Sequence, residues 1–279
     1  MEEKVKRSGS ALERFVPILL LVSIGLAFAV GVLWQKVSGL EKGKTTTPTT
    51  TNTTDTTDVT AQQPKLTLDQ VKNLFKEDVI KFGKDSSKLI LVEVSDTSCP
   101  YCHVASGKNP ELNRKIDEDS QGRTQFKLVS DGGTYVAPVV EFKKLIDQGK
   151  ASFVYIYSPG HGNGEMGAQA LYCANEKGKF WAAHDLLMTN KAYDLLNNTV
   201  KNDKSKSGDL ATFLASAVDS GFMKTCLESG KYVERIKKDV ALATSLGAQG
   251  TPFFAVNENT FPGAYSFDAM KSAVDTALK

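Results

Sequence analysis

Two cysteines separated by two residues carry the most specific chemistry in the sequence. The segment DTSCPYCH (96–103) places Cys99 and Cys102 on either side of Pro100 and Tyr101. Two thiols at this spacing meet on one turn of a helix, so one can attack a disulfide and the other can resolve the mixed disulfide. A thiol at a helix N-terminus is stabilised as thiolate by free N–H groups and by the helix dipole. We predict that Cys99 is the nucleophile and Cys102 the resolving thiol.

Other kinds of site could use the same segment. His103 completes the C-x-x-C-H pattern of c-type haem attachment, in which it would be an axial ligand of an electron-transfer protein. A zinc site would need two further ligands from distant histidines or cysteines, and the chain has no second C-x-x-C. Two inert, buried thiols are a third alternative. The strand before the motif and the rigid Pro100 favour a redox-active turn made by Pro100, Tyr101 and His103, with no metal and no cofactor besides a Cys99–Cys102 disulfide.

The elements around this segment must place it at the end of a strand. The apolar run Leu89–Val94 precedes the cysteines and predicts a buried strand. Helical periodicity at Val139–Ile146 and a second apolar run at Phe153–Tyr157 complete a strand–helix–strand unit, which implies a parallel pair. Three more elements are predicted: a helix from a capping box at Thr67 to Gly83, a last strand at Phe253–Val256 and a closing helix at Phe267–Leu278.

A second motif heads the last predicted strand. In GTPFF (250–254), Pro252 cannot donate a hydrogen bond to a strand ladder, and the Thr251–Pro252 bond is a candidate for cis geometry. Helical stretches at 166–188 and 208–247 separate this motif from the cysteines. Together with the upstream C-x-x-C, the Thr-Pro pair indicates a redox site more specifically than it does alone.

These elements resemble the thioredoxin fold, and their arrangement is similar to the DsbA-like thiol–disulfide oxidoreductases of bacteria. The resemblance covers most of 65–279 and rests on four segments, which are VEVSDTSCPYCH (92–103), YCANEKGKFWAAHDLLM (172–188), CLESGKY (226–232) and SLGAQGTPFF (245–254). It implies an α/β thioredoxin fold in which a helical block, at about 160–247, is inserted.

The resemblance also implies roles for residues outside the C-x-x-C. Thr251, before the cis-proline Pro252, would hydrogen-bond an extended substrate through its backbone. Glu93, six positions before Cys99, would accept the proton that Cys102 loses, because a carboxyl in an apolar strand has a raised pKa. The alternative for Glu93 is an outward, solvated strand residue.

The remaining cysteines and histidines have simpler expected roles. The resemblance implies that Cys173 and Cys226 form a structural disulfide across the helical block, and the alternative is two buried free thiols. His161 lies in the Gly-rich segment 159–164, where a loop contact is expected. For His184, beside Trp181, we expect a buried helix histidine with its hydrogen bonds satisfied.

Two departures from the family affect its details. The Pro-Tyr dipeptide between the cysteines is that of glutaredoxins rather than the Pro-His of the best-known DsbA enzymes, which predicts a weaker oxidant. The polar, Gly-bearing segment 104–134 is longer than the usual active-site helix. It is expected to be a solvated insertion, with a substrate-shaping loop as the alternative.

The first 64 residues differ in composition from the rest. An uncharged apolar run at 15–34 would form a helix of roughly 30 Å, enough to cross a bilayer. A cleaved signal peptide is the alternative, because Ala27–Ala29 resembles a cleavage site. We expect a cytoplasmic N-terminus (1–14), an uncleaved anchor (15–34), a flexible Thr-rich linker (35–64) and one domain (65–279).

Composition and charge narrow the function further. The chain has 279 residues, 41% of them hydrophobic, and a formal net charge of +2 without a long basic run, so a nucleic-acid partner is not expected. Disulfide donation needs an oxidising compartment, which selects a cell-membrane protein whose domain is extracytoplasmic.

We therefore predict an oxidoreductase that introduces disulfides into exported proteins. Its partners would be reduced or unfolded exported proteins and a membrane protein that reoxidises it, and it would act as a monomer. The same residues would serve a reductase or isomerase. A non-catalytic binding module, the remaining alternative from another class, would be indifferent to loss of Cys99.

Overall fold

The computed structural model describes residues 65–279, and the predictions for 1–14, 15–34 and 35–64 lie outside them. Its centre is a five-stranded mixed sheet in the order β1–β3–β2–β4–β5. The strands are β1 (Ile80–Phe82), β2 (Ile90–Ser95), β3 (Ser152–Tyr157), β4 (Phe253–Val256) and β5 (Asn259–Pro262). The strands β2 and β3 are parallel, and the other pairs are antiparallel.

Eleven α-helices of the described residues surround the sheet. They are α1 (Leu68–Asn73), α2 (Pro100–Ser106), α3 (Pro110–Asp119), α4 (Pro138–Asp147), α5 (Glu165–Glu176), α6 (Phe180–Leu187), α7 (Asn190–Asp194), α8 (Ser207–Phe213), α9 (Ser220–Ser229), α10 (Val233–Ser245) and α11 (Phe267–Leu278). A π-helix, Leu195–Val200, extends α7, and short 3-10 helices lie at Leu74–Lys76, Val129–Asp131 and Lys204–Lys206. The helices from α5 to α10 lie between β3 and β4 in the chain, where the inserted block was expected. None of the helices within 65–279 combines the length and apolar character needed to cross a membrane.

Both faces of the central strands β2, β3 and β4 are buried, which explains why their sequences are almost continuously apolar. Leu91 of β2 packs in a core with Phe142 of α4 and much of the helical block. Val92 and Val94 face the opposite core, with α1 and the end of α10. Because side chains alternate along a strand, Glu93 shares the face of Leu91.

The predicted helix up to Gly83 is wrong in its second half. The capping box forms as expected, since the Thr67 side chain accepts from the Gln70 N–H. The helix, however, ends at Asn73, and Ile80–Phe82 form β1, antiparallel to β3. The apolar residues there fit either a helix or a strand, and the free edge of β3 decides between the two.

The segment 104–134 is more regular than a loop. Helix α2 ends at Gly107, which adopts a left-handed conformation with φ of 67°. Asn109 then caps α3 by accepting from the Leu112 N–H at 3.1 Å. The polar segment therefore contains a second helix, which follows the first after a sharp turn.

Candidate active site

The first cysteine lies where β2 gives way to α2. After β2 ends at Ser95, three buried residues lead to Cys99, the N-cap of α2, and Pro100 is the first helical residue. Proline suits this position because its missing N–H would have no partner there. The Cys99 carbonyl accepts from the backbone N–H of Cys102 at 3.1 Å, which closes the turn that holds both sulfurs.

The two thiols are free and differ in their electrostatics. A hydrogen bond from Cys102 outweighs burial and lowers the pKa of Cys99 to about 7, with further help from Thr251 and backbone N–H groups. Burial raises the pKa of Cys102 well above its usual range, and the neighbouring Cys99 adds to the effect. At neutral pH Cys99 is therefore the readily ionised thiol, and Cys102 keeps its proton.

The Thr-Pro motif lies against the first cysteine. The Thr251–Pro252 peptide bond is cis, and the Cys99 thiol donates to the Thr251 carbonyl at 3.5 Å. The Pro252 carbonyl accepts from the Gly263 N–H at 2.8 Å, which ties the loop to the end of β5. The structure thus brings Cys99 and Thr251 together across 152 positions of the chain.

A buried carboxylate that sequence reasoning missed organises the loops around the cysteines. One oxygen of Asp96 accepts from the N–H and the hydroxyl of Ser98, both at 2.7 Å. The other oxygen accepts from the backbone N–H groups of Gly160 at 2.7 Å and His161 at 2.9 Å. The Gly-rich segment 159–164 therefore binds the cysteine loop through its backbone, and the contact expected for His161 comes from its N–H.

Glycines let this segment approach closely. A Cβ atom on Gly160 would lie 1.8 Å from the Thr251 hydroxyl, and one on Gly164 would lie 1.7 Å from the Asp96 carboxylate. Neither place has room for a side chain. The run of glycines after β3 was therefore a usable indication that this loop packs against the cysteine loop.

The helical block contributes a second support. Asn197, in the π-helix, donates to the Ser98 carbonyl at 3.1 Å and accepts from the Asn163 side chain at 3.1 Å. It thus joins the cysteine loop, the Gly-rich segment and the inserted helices. Nothing in its local sequence distinguishes Asn197 from a surface asparagine.

His103 differs from the expected turn residue. It is fully buried in α2, with Nδ1 and Nε2 each 2.9 Å from a carbonyl oxygen, of Met188 and Thr97 respectively. Burial lowers its pKa to about 4. Both ring nitrogens are engaged, so the axial-ligand role does not fit this geometry. Tyr101, by contrast, is 46% exposed and presents its ring at the surface beside the cysteines.

Glu93 lies in the interior of the site. It is 1% exposed, so the solvated alternative is wrong. It faces His184 of α6, whose Nε2 lies 3.8 Å from Oε1 of Glu93. Nδ1 of the same ring lies 3.5 Å from Oδ1 of Asp185. The expectation that His184 is satisfied by hydrogen bonds is also wrong, because neither ring nitrogen has one.

The remaining cysteines are bonded to each other. Cys173 of α5 and Cys226 of α9 form a disulfide with a Cα–Cα distance of 6.1 Å. The bond crosses the helical block, away from Cys99 and Cys102. Within residues 65–279, no three His, Cys, Asp or Glu side chains are grouped to hold a metal ion.

Comparison with known proteins identifies the fold. The thioredoxin family model matches residues 139–276, a stretch that does not include Cys99 and Cys102. The crystal structure of DsbA from Chlamydia trachomatis superposes with a TM-score of 0.50 and 16% identity, covering 72% of this chain and 91% of that one. The alpha-DsbA1 of Wolbachia pipientis gives 0.50 and 17%, covering 75% and 96%.

The curated relatives of this chain include a disulfide bond formation protein and Na⁺/H⁺ antiporters. Disulfide bond formation protein D of Bacillus subtilis is 23% identical over 71% of this chain and 76% of that protein. A Na⁺/H⁺ antiporter of Salinispora tropica is 25% identical over 70% of this chain but only 24% of its own length. This chain thus spans about a quarter of the antiporters it matches. The predicted thioredoxin fold and the resemblance to DsbA-like proteins are confirmed.

Proposed function

We propose that this thioredoxin-fold chain is a DsbA-like thiol–disulfide oxidoreductase that passes a Cys99–Cys102 disulfide to cysteines of exported proteins. The observation that carries the proposal is the asymmetry of the two thiols. Cys99, at a helix N-terminus, has a pKa lowered to about 7, whereas the pKa of the buried Cys102 is raised. One sulfur is built to leave as thiolate and the other to stay protonated, as exchange through a mixed disulfide requires.

The exchange follows from this difference. A substrate thiolate attacks Cys99, forming a mixed disulfide, and Cys102 leaves and takes up a proton. A second substrate thiolate then attacks the substrate sulfur of the mixed disulfide, and Cys99 leaves as the stabilised thiolate. Glu93 serves as the proton carrier for Cys102, since it is buried on the face of the sheet that carries Ser95, a side chain that acts to lower the pKa of Cys102. The redox-active disulfide is the only redox group that this scheme requires.

A groove beside the cysteines fits an extended polypeptide. A cavity of about 360 Å³ is lined by Thr251, Pro252 and the end of β5. A second, of about 580 Å³, shares Pro262 and Gly263 with it and is also lined by Phe126, Tyr135 and Tyr265. The Thr251 backbone would pair with the substrate beside Cys99, as in strand addition.

The segment 104–134 takes part in this groove. Phe126 lies in an edge-on contact with the exposed Tyr101, with ring centroids 6.0 Å apart, and with Tyr135, at 5.5 Å. These contacts favour the substrate-shaping alternative over a solvated insertion. Aromatic rings beside a redox cysteine suit the apolar side chains that unfolded proteins expose.

The cellular setting is part of the proposal. A disulfide between Cys173 and Cys226 persists in an oxidising compartment, which supports an extracytoplasmic domain. We propose that residues 15–34 anchor the chain in the cell membrane and that 35–64 tether the domain. The chain acts as a monomer, and a membrane protein reoxidises its cysteines. A protease added to intact cells or spheroplasts should then cleave the domain, and protection would contradict this topology.

The direction of exchange is tested by the reduction potential. The full chain is equilibrated in graded glutathione buffers and its thiols are alkylated and counted, with Cys99→Ser as control. A Cys99-dependent transition above about −200 mV supports disulfide donation, whereas one below about −250 mV favours the reductase alternative. The absence of any Cys99-dependent transition would refute the enzyme proposal.

A further inference from the structure

Cys102 exchanges a proton in a place that solvent does not reach. Its side chain is 1% exposed, yet it must gain a proton when it leaves Cys99 and lose one when it attacks. This holds whether the chain donates disulfides or reduces them. A buried thiolate without a nearby proton is costly, so the structure must provide a route for that proton.

Polar side chains without hydrogen-bond partners line one side of this site. Glu93 and Ser95 come from β2, Tyr155 from β3 and His184 from α6, and each is 1% exposed or less. Glu93 and Tyr155 occupy the same register of the parallel strands. Buried polar atoms are normally paired, so a cluster of unpaired ones indicates a role other than packing.

His184 extends this cluster towards the surface. One ring nitrogen is 3.8 Å from the Glu93 carboxylate and the other is 3.5 Å from Asp185. The Asp185 side chain is 34% exposed and binds Lys108 Nζ at 2.7 Å. Both distances are just beyond a normal hydrogen bond, so the imidazole lies between the buried carboxylate and one that meets solvent.

We propose that Glu93 and His184 together hold and deliver the Cys102 proton, and that Asp185 exchanges it with solvent. This inference rests on the exchange function proposed above and deepens it. Glu93 is the carrier already assigned, and the new element is a histidine supplied by the inserted helical block. His184 acts through Glu93 and is therefore a positioning and proton-storing residue.

The proton balance is complete in each direction. When Cys102 leaves Cys99 as thiolate, the Glu93 carboxylate takes a proton from Nε2 of the imidazolium, which becomes neutral, and passes that proton to the Cys102 thiolate. When Cys102 attacks, the proton returns by the same path, the Cys102–Cys99 bond forms and the substrate sulfur leaves as thiolate. His184 gains or loses its proton through Asp185, so no buried charge is left unpaired.

The groups around His184 support a proton-storing role. Although burial lowers it, the nearby carboxylates of Asp185 and Glu93 raise the pKa of His184 to about 9. The other titratable groups nearby are Lys108, beside Asp185, and Tyr155, beside Glu93, together with His103, whose pKa His184 lowers. Two carboxylates thus hold the imidazole in its charged form, ready to give up a proton.

The test measures two chemical steps separately, with glutathione as the probe. The reduced full chain reacts with oxidised glutathione, and the mass of the intact protein in quenched samples is measured by mass spectrometry. The first step, attack by Cys99, forms a glutathione adduct, and the second, attack by Cys102, releases glutathione. Both rates are followed from about pH 5 to about pH 10, a range that contains the titrations of His and Cys.

We expect His184→Gln to slow glutathione release by at least about tenfold and to flatten its pH profile, while adduct formation stays unchanged. Asp185→Asn should slow release as well. Asp147→Asn is the matched control: this carboxylate also binds a lysine, Lys143 at 2.6 Å, and lines the same surface pocket, but it does not contact His184. Its release rate should equal that of the unmodified chain.

Other outcomes would contradict the proposed proton path or the exchange function. Unchanged release in His184→Gln, or an equal loss in both steps, would overturn the inference and leave the exchange function intact. If His184→Gln does not fold, equal release rates for Asp185→Asn and Asp147→Asn would overturn it. If the unmodified chain never releases glutathione through Cys102, the proposed function itself fails.

Discussion

The close contact between Gly160 and Thr251 gives the sharpest test of how the site is assembled. In Gly160→Ala the new methyl group would lie 1.8 Å from the Thr251 hydroxyl and 3.2 Å from the Cβ atom of Cys99. The Gly160 N–H is also held by Asp96 at 2.7 Å. The loop therefore cannot yield freely, and either the Asp96 clamp or the Thr-Pro loop must move.

The size of the effect follows from this overlap. The methyl group falls roughly 1.5 Å short of ordinary van der Waals contact with the hydroxyl, and such overpacking costs about 1–3 kcal/mol. A displacement of about 1 Å between reacting groups can reduce a rate by about 100-fold. Because Thr251 borders both Cys99 and the proposed substrate groove, we expect slower exchange with a cysteine-containing peptide as well as lower stability.

The assay combines urea unfolding with the rate of disulfide transfer to a peptide. Gly208→Ala is the control, since a methyl group there meets only the end of the Lys224 side chain, at 3.9 Å, and Gly208 does not line the groove. Thr251→Ala removes the hydroxyl but keeps the backbone, so the double variant Gly160→Ala/Thr251→Ala should recover part of the lost stability and rate. If Gly160→Ala alone matches the unmodified chain in both measurements, the close packing of these loops is refuted.

Three further predictions concern the titrating and bonded groups. The ultraviolet absorbance of thiolate should titrate with a midpoint at about pH 7 for Cys99, and Cys102→Ala should raise that midpoint because it removes the largest stabilising bond. Replacing both Cys173 and Cys226 by alanine opens a loop of 53 residues and should lower the free energy of unfolding by about 4 kcal/mol, seen as a lower Tm; an unchanged Tm would contradict a structural role. His184 has a folded-state pKa of about 9, above its value of 6.5 in the unfolded chain, so its contribution is full below about pH 6.5 and is lost as the pH rises through 9. This loss amounts to about 3 kcal/mol in urea unfolding, and His184→Gln should abolish it.

Local patterns were sufficient for the framework of the fold. The strands β2, β3 and β4 are predicted from short, mostly apolar runs, because both faces of these three strands are buried. The cysteine pair is found from its spacing, since positions three apart bring two thiols together on one helical turn. The strand β1 was missed because three residues are too few to show the alternating pattern of a strand. Its conformation is decided by pairing with β3.

The supports of the site could not be predicted in the same way. Two of the four donors to Asp96 are backbone groups more than sixty positions away, and the partner of Glu93 is His184, on the inserted block. Such contacts arise only after the chain has folded. The indications in the sequence were indirect: a polar Asp96 after an apolar strand, and a run of glycines after the next strand.

The helical block is therefore part of the chemistry as well as a cover for the sheet. It supplies Asn197, which fixes the carbonyl of the residue before Cys99, and His184, which faces the carboxylate of β2 from the other side. The thioredoxin core alone provides the nucleophile, the Thr-Pro loop and Glu93, all of which its own strands position. It leaves that carboxylate without a charged partner in the apolar interior, where an isolated charge is expensive. The Cys173–Cys226 bond ties together two helices of this block, α5 and α9.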